Sequence, residues 1–330
     1  MSQIASKRKK QSLHTPAHLP HKYLAVTARQ TWPALRLLNF ICLAVALSFP
    51  GEYCIADVDL PTKFSNNTSI SNTRHNLTQR QASGGPSGVN MDPYRNDYGQ
   101  ICVYCHTPHG ANPTIGAPLW NRTLPNTSTF TTYSALNSST LTQTVTAPGA
   151  NSLVCLSCHD GATAVDATLN MPGPGSYSPA PNAAFLNTWS NPSGLGPFVH
   201  LSLKQGECLA CHAPDAGVVG TGAADFTVAV IGKDLTDDHP VGIGFPASSP
   251  DFVPTTGNWN NANFFDLNGN GRMEKNEIRV YDTGEGYEVE CTTCHDPHGV
   301  PSAGAGSPFI PTFMRVANNG SNLCITCHIK

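Results

Sequence analysis

The chain has 330 residues, of which 12% are charged and 39% hydrophobic, with a formal net charge of −3. That length allows one to three conventional domains, but 29 glycines and 27 prolines spread along it leave little room for long regular elements or a thick aliphatic core. After residue 56, 12 basic residues face 21 acidic ones, a formal net charge of −9 that argues against nucleic acid as a partner.

Residues 1–56 read as a targeting segment. A basic region containing Lys7, Arg8, Lys9 and Lys10 precedes an apolar run from Leu37 to Phe49, and Ala56 is the cleavage candidate. The run is short of the roughly 20 residues that span a bilayer, so export with cleavage is expected and an uncleaved anchor is the alternative. No stable membrane span is then expected after cleavage, and the mature chain works in the periplasm or outside the cell. Residues 57–98, rich in Ser, Thr, Asn and Gly, read as extended and weakly structured, with His75 standing out among them.

The first motif follows: Cys102-Val-Tyr-Cys105-His106, continued by Thr-Pro-His109-Gly. Its pattern, two cysteines three apart and then histidine, returns at Cys155–Cys158–His159, Cys208–Cys211–His212, Cys291–Cys294–His295 and Cys324–Cys327–His328. Structural zinc and redox dithiols also use CxxC, but neither requires a histidine directly after the second cysteine. Covalent haem does: two thiols add to the two vinyl groups of one porphyrin, and the adjacent histidine lies under the iron. Five covalent haem c groups are therefore expected. The ten motif cysteines account for all those beyond Cys42 and Cys54, which precede the cleavage candidate.

Of 13 histidines, His14, His18 and His21 fall in the targeting segment and five are proximal ligands. Five remain for five distal positions: His75, His109, His200, His239 and His298. Met91, Met171, Met273 and Met314 are the alternative axial ligands. His109 and His298 stand only three residues beyond His106 and His295, too close to reach the opposite face of the same ring, so each is expected to serve a neighbouring haem. The inventory suggests a repeat, in which residues 57–199 form a first module with haems 1 and 2. Residues 200–238 carry haem 3, and residues 239–330 form a second module with haems 4 and 5.

Between the motifs the sequence reads as loops. Short helices are expected just before the attachment motifs, at Ser152-Leu-Val-Cys155 and Asn322-Leu-Cys324, and strands at Ala224 to Ile231 and Ile278 to Tyr281. The expected fold is mostly irregular, with short α-helices and few short strands packed around haems. Independently of haem, Asp266, Asn268, Asn270, Arg272, Glu274 and Glu277 occupy positions 1, 3, 5, 7, 9 and 12 of a calcium-type loop, with Gly271 at position 6. A Ca2+ ion bracing the insertion before the fourth motif is expected; an Asn/Gly turn that binds nothing is the alternative.

Together the strings His75-Asn-Leu, Cys102 to Gly110, Pro118-Leu-Trp-Asn-Arg, Cys155-Leu-Ser-Cys-His-Asp-Gly, Asp238-His239-Pro-Val-Gly, Cys291 to Gly299 and Cys324 to His328 resemble the multihaem cytochromes c with doubled CxxCH motifs of metal-reducing and related bacteria. The resemblance implies a haem-packed fold that carries low-potential electrons, with other cytochromes or redox proteins as donor and acceptor. It also implies possible polymerisation into filaments, in some of which the next subunit supplies a distal histidine. Such a chain is an electron carrier rather than an enzyme. The competing reading is a multihaem reductase or oxidase with one open iron, most plausibly at haem 3, because no family-like string surrounds His200.

Overall fold

The computed structural model describes residues 69–78, 91–173, 176–190, 199–216, 225–300 and 313–329. The targeting segment, with its three histidines, Cys42 and Cys54, lies outside the described residues, as does most of the extended stretch that follows it. Among the described residues no helix is long and apolar enough to cross a membrane.

Among the described residues the longest regular element is helix α1, Ala150–His159. Ten residues make a marginal helix on their own, so packing must hold it. Leu153 and Leu156 share one face and are buried with Phe130 and Leu235. Cys155, Cys158 and His159 recur at i, i+3 and i+4, which sets the attachment residues along another stripe. Asp160 stops the helix, its carboxylate accepting the backbone N–H groups of Ala162 and Thr163 at 2.9 Å each. The other helices among the described residues are single turns or little more: α2 (Ala183–Leu186), α3 (Cys291–Cys294) and α4 (Asn322–Cys327). The first and third motifs lie on 3-10 turns, Ile101–Tyr104 and Cys208–Ala210.

Strands β1 (Asn170–Met171) and β2 (Ser176–Tyr177) make a small antiparallel ladder. A larger antiparallel sheet is ordered β3-β7-β6-β5-β4, from β3 (Ile243–Gly244), β4 (Gly257–Trp259), β5 (Ala262–Phe264), β6 (Arg279–Asp282) and β7 (Tyr287–Val289). The β4–β5 hairpin turns on Asn260 and Asn261, at φ 43° and 57°, the left-handed pair that a two-residue turn matched to strand twist requires. The strand expected near Ile278 is present as β6. The one expected from Ala224 to Ile231 is not: Ala224 lies outside the described residues, and Thr227–Ala229 is a 3-10 turn. The Asp225 carboxylate accepts from the Thr227 backbone at 2.8 Å and from its hydroxyl at 2.6 Å, which bends the backbone out of extension.

Residues from the three expected segments interlock. Thr131 bridges to Asp234 and Val145 to Ile243. Glu290, fully buried ahead of α3, reaches into the start of α1, where it accepts a hydrogen bond from the Gly149 backbone N–H at 3.0 Å and another from the Ser152 hydroxyl. A Cβ at Gly149 would stand 2.6 Å from that carboxylate, so glycine permits the approach. The same Glu290 caps α3 in a reciprocal box with Thr293. The second and fourth attachment motifs are thereby held side by side, with the Cys155 and Cys291 thiols in hydrogen-bond contact.

Candidate haem-binding site

None of the ten motif cysteine thiols forms a disulfide. Burial pushes those of Cys105, Cys208 and Cys327 up to about 12 and that of Cys294 up to about 11. Among the described residues no three His, Cys, Asp or Glu side chains converge as a metal-binding cluster. Paired, uncrosslinked thiols beside a histidine are what porphyrin attachment needs.

After the first motif the chain returns antiparallel across it. His106 bridges to Trp120, the Thr107 N–H donates to the Leu119 carbonyl at 2.8 Å, and the Asn121 N–H to the Cys105 carbonyl at 2.8 Å. The fourth motif repeats this frame: His295 bridges to Met314, the Asp296 N–H reaches the Phe313 carbonyl at 2.9 Å, and the Arg315 N–H reaches that of Cys294 at 2.7 Å. Leu119 and Phe313, at matching places, are both left-handed, with φ 54° and 57°. The fifth motif shares part of the frame, His328 bridging to Phe252 while the Val253 N–H donates to the Cys327 carbonyl at 2.8 Å.

Each frame is pinned by buried side chains whose roles the motifs alone do not reveal. Arg122, fully buried, donates to the Ser157 hydroxyl and to the carbonyls of Ser157, Ala164 and Val165, at 2.7 to 3.2 Å. Asn121 donates to the carbonyls of Val103 at 2.6 Å and Asn170 at 3.0 Å. Arg315 donates to the carbonyls of Thr292 at 3.0 Å and Lys275 at 2.8 Å. It also pairs with the Asp296 carboxylate at 3.3 Å. The sequence signal for Asn121 and Arg122 was their place in the Pro118-Leu-Trp-Asn-Arg string, which by itself said nothing of their contacts.

The histidines are oriented through one ring nitrogen. Nδ1 faces a carbonyl in His106 (Pro118, 2.8 Å), His159 (Ala229, 2.6 Å), His75 (Pro297, 3.2 Å) and His239 (Pro240, 3.0 Å). It faces a carboxylate in His200 (Asp166, 2.6 Å) and His298 (Asp296, 3.0 Å). A proton held at Nδ1 leaves the Nε2 lone pair for a metal, and the anchored N–H fixes the ring plane. Burial, reinforced by the nearby His159, pushes His75 down to about 4; burial lowers His159 as well. Both rings are therefore neutral at neutral pH, as ligation demands. Burial opposes the charge of Asp296, but the His298 hydrogen bond and the Arg315 guanidinium outweigh it and bring the carboxyl down to about 2.

Two of the five candidate distal histidines are seated against proximal ones. His298 faces His106 with ring centres 6.2 Å apart and planes 13° from parallel. His75 faces His159 at 6.1 Å, with planes at 84°. Two imidazoles bound to one metal through nitrogens about 2 Å away place their centres about 6 Å apart, the centre-to-centre distance of both pairs. His109, His239 and His298 are exposed. His200 is clamped, its Nε2 lying 3.0 Å from the Asn187 side-chain oxygen. His212 stacks on Phe226 at 3.9 Å, and His328 leans on Phe252 at 4.8 Å. Met171, an alternative ligand, is buried in the core with Tyr98 and Tyr104.

In the calcium-type loop, Asp266 accepts the N–H groups of Asn270 at 3.1 Å and Gly271 at 2.7 Å, and Gly271 takes φ 71°. Glu277, fully buried, accepts from Leu267 at 3.0 Å and Glu274 at 2.9 Å. Asn268 donates to Glu274 at 2.8 Å. The loop has the expected turn, but its oxygens are engaged with the loop itself rather than gathered on one point.

The family described as Doubled CXXCH motif matches residues 285–330, the stretch that holds the fourth and fifth attachment motifs. No curated protein gives a significant match to this chain. The doubled motif is a feature of multihaem c-type cytochromes, which act in electron transfer, and CxxCH motifs imply covalently bound c-type haem.

Proposed function

We propose that the protein is a pentahaem c-type cytochrome that carries electrons between redox partners outside the cytoplasm. The observation that carries this reading is the pair of imidazole couples, His106 with His298 and His75 with His159, each spaced for two ligands on one iron. Bound haem supplies the one-electron iron couple. The chain's own residues supply the rest. Ten cysteines attach the rings, and five proximal and five distal histidines saturate the metal. The Nδ1 acceptors hold His75, His106, His159, His239 and His298 in the tautomer that ligates. Saturated iron leaves no place for a substrate, and histidine rather than methionine at the sixth position favours low potential.

A second reading is supported at one place. His200 directs Nε2 at Asn187, so haem 3, at Cys208 to His212, is where an open position and a reductase activity would reside. Intact mass and carbon monoxide binding decide between the two. Five covalent haems and an unchanged reduced spectrum under carbon monoxide support the carrier. Fewer haems, or carbon monoxide binding by one of them, overturn it.

The loop 266–277 is assigned to Ca2+ on its ligand order and the turn at Gly271; binding would swing its carboxylates inward. The partners proposed are other cytochromes, or further copies of the chain in a filament.

A further inference from the structure

We infer that His298, three residues beyond the fourth attachment motif, is the sixth ligand of the first haem, the one attached through Cys102 and Cys105. The inference rests on the bis-histidine reading and adds to it a pairing that the motif spacing leaves open. His298 cannot turn back to the far side of a ring whose near side is held by His295. Its imidazole instead lies opposite His106, centre to centre 6.2 Å and nearly parallel. Both Nδ1 atoms are occupied, by Asp296 at 3.0 Å and by the Pro118 carbonyl at 2.8 Å, so both rings have Nε2 to offer.

The neighbouring residues extend the same bridge. The Pro297 carbonyl accepts from His75 at 3.2 Å, and Phe313 stacks on the His75 ring at 4.6 Å and 13°. The Asp296-Pro297-His298 segment thus supplies one axial ligand to the first half and orients another, His75, which faces His159. Haem 1 is then held by both halves of the chain, through its thioethers from one and its sixth ligand from the other. Attachment at the fourth motif becomes a condition for a six-coordinate first haem.

The test uses the full holoprotein and low-temperature electron paramagnetic resonance. His298→Ala is expected to convert one of the five haems from low to high spin and to make it bind carbon monoxide. The same substitution in a Cys102→Ser/Cys105→Ser background, which lacks haem 1, is expected to add no high-spin signal. A high-spin haem appearing in both backgrounds assigns His298 to another iron and overturns the inference, as does its appearance in neither. Should the haem-1-less background not accumulate, a structure of the wild-type holoprotein decides: Nε2 of His298 on the iron of the Cys102/Cys105 haem supports the pairing, and any other ligand there refutes it. The carrier reading fails separately, by high-spin iron in the wild type itself.

Discussion

The first and fourth motifs share a frame and differ in what they do with the histidine that follows. Both return the chain across the proximal histidine, and both pass through a left-handed residue, Leu119 or Phe313. After the fourth motif, however, Asp296 holds Nδ1 of His298 and points that ring at His106. After the first, Thr107 stands in its place and donates to the backbone carbonyl of His109 at 2.8 Å; the His109 and His298 rings are both exposed. The residue after the motif histidine thus differs in what it holds: Asp296 holds the ring of the candidate distal ligand, Thr107 only the backbone behind it.

The largest effect that would break this comparison is at the buried arginines. Arg122→Ala leaves three buried carbonyls and a hydroxyl without their donor, and is expected to cost about 3–5 kcal/mol of stability in denaturant unfolding. Arg315→Ala removes the donor of the Thr292 and Lys275 carbonyls and the partner of the Asp296 carboxylate and should cost about 2–3 kcal/mol. Equal losses would mean that the two frames are pinned alike.

Next is Glu290. Burial raises its carboxyl to about 7, above the unfolded value near 4.5, despite the opposing hydrogen bonds from Ser152 and Gly149. A raised folded value means that its stabilising contribution is complete below about pH 4.5 and is lost as pH rises through about 7. Glu290→Gln keeps the neutral form and should flatten the stability profile over that window, by at most about 3 kcal/mol. An unchanged profile would show that the contact between the second and fourth motifs does not depend on this proton. Calcium should matter less: a chelator is expected to lower the melting temperature by a few degrees in wild type and not in Glu277→Gln. Smallest is Leu119→Gly. Leu119 is 55% exposed, so the change gives up little packing while relieving the left-handed conformation, for a gain of up to about 1 kcal/mol. Phe313→Gly should lose stability instead, because that ring stacks on His75.

The attachment motifs could be read from the sequence because their chemistry is local: thioether and proximal ligand come from five consecutive residues. The exclusion of His298 from its own haem was equally local. Its destination was not, since it depends on a bridge between segments nearly 200 residues apart. The frames were hidden for the same reason, their bonds joining Cys105 to Asn121 and Cys294 to Arg315 through the backbone, where side-chain identity leaves little trace. The hairpin at Asn260-Asn261 was not read from the sequence, and the apolar run ending at Ile231 looked like a strand but was bent by the Asp225 cap.

Low-temperature electron paramagnetic resonance of the oxidised, purified holoprotein tests the central claim most directly. The account predicts five low-spin haems and no high-spin iron. A high-spin component equal to one haem would contradict the saturated electron carrier and place an open coordination site in the protein.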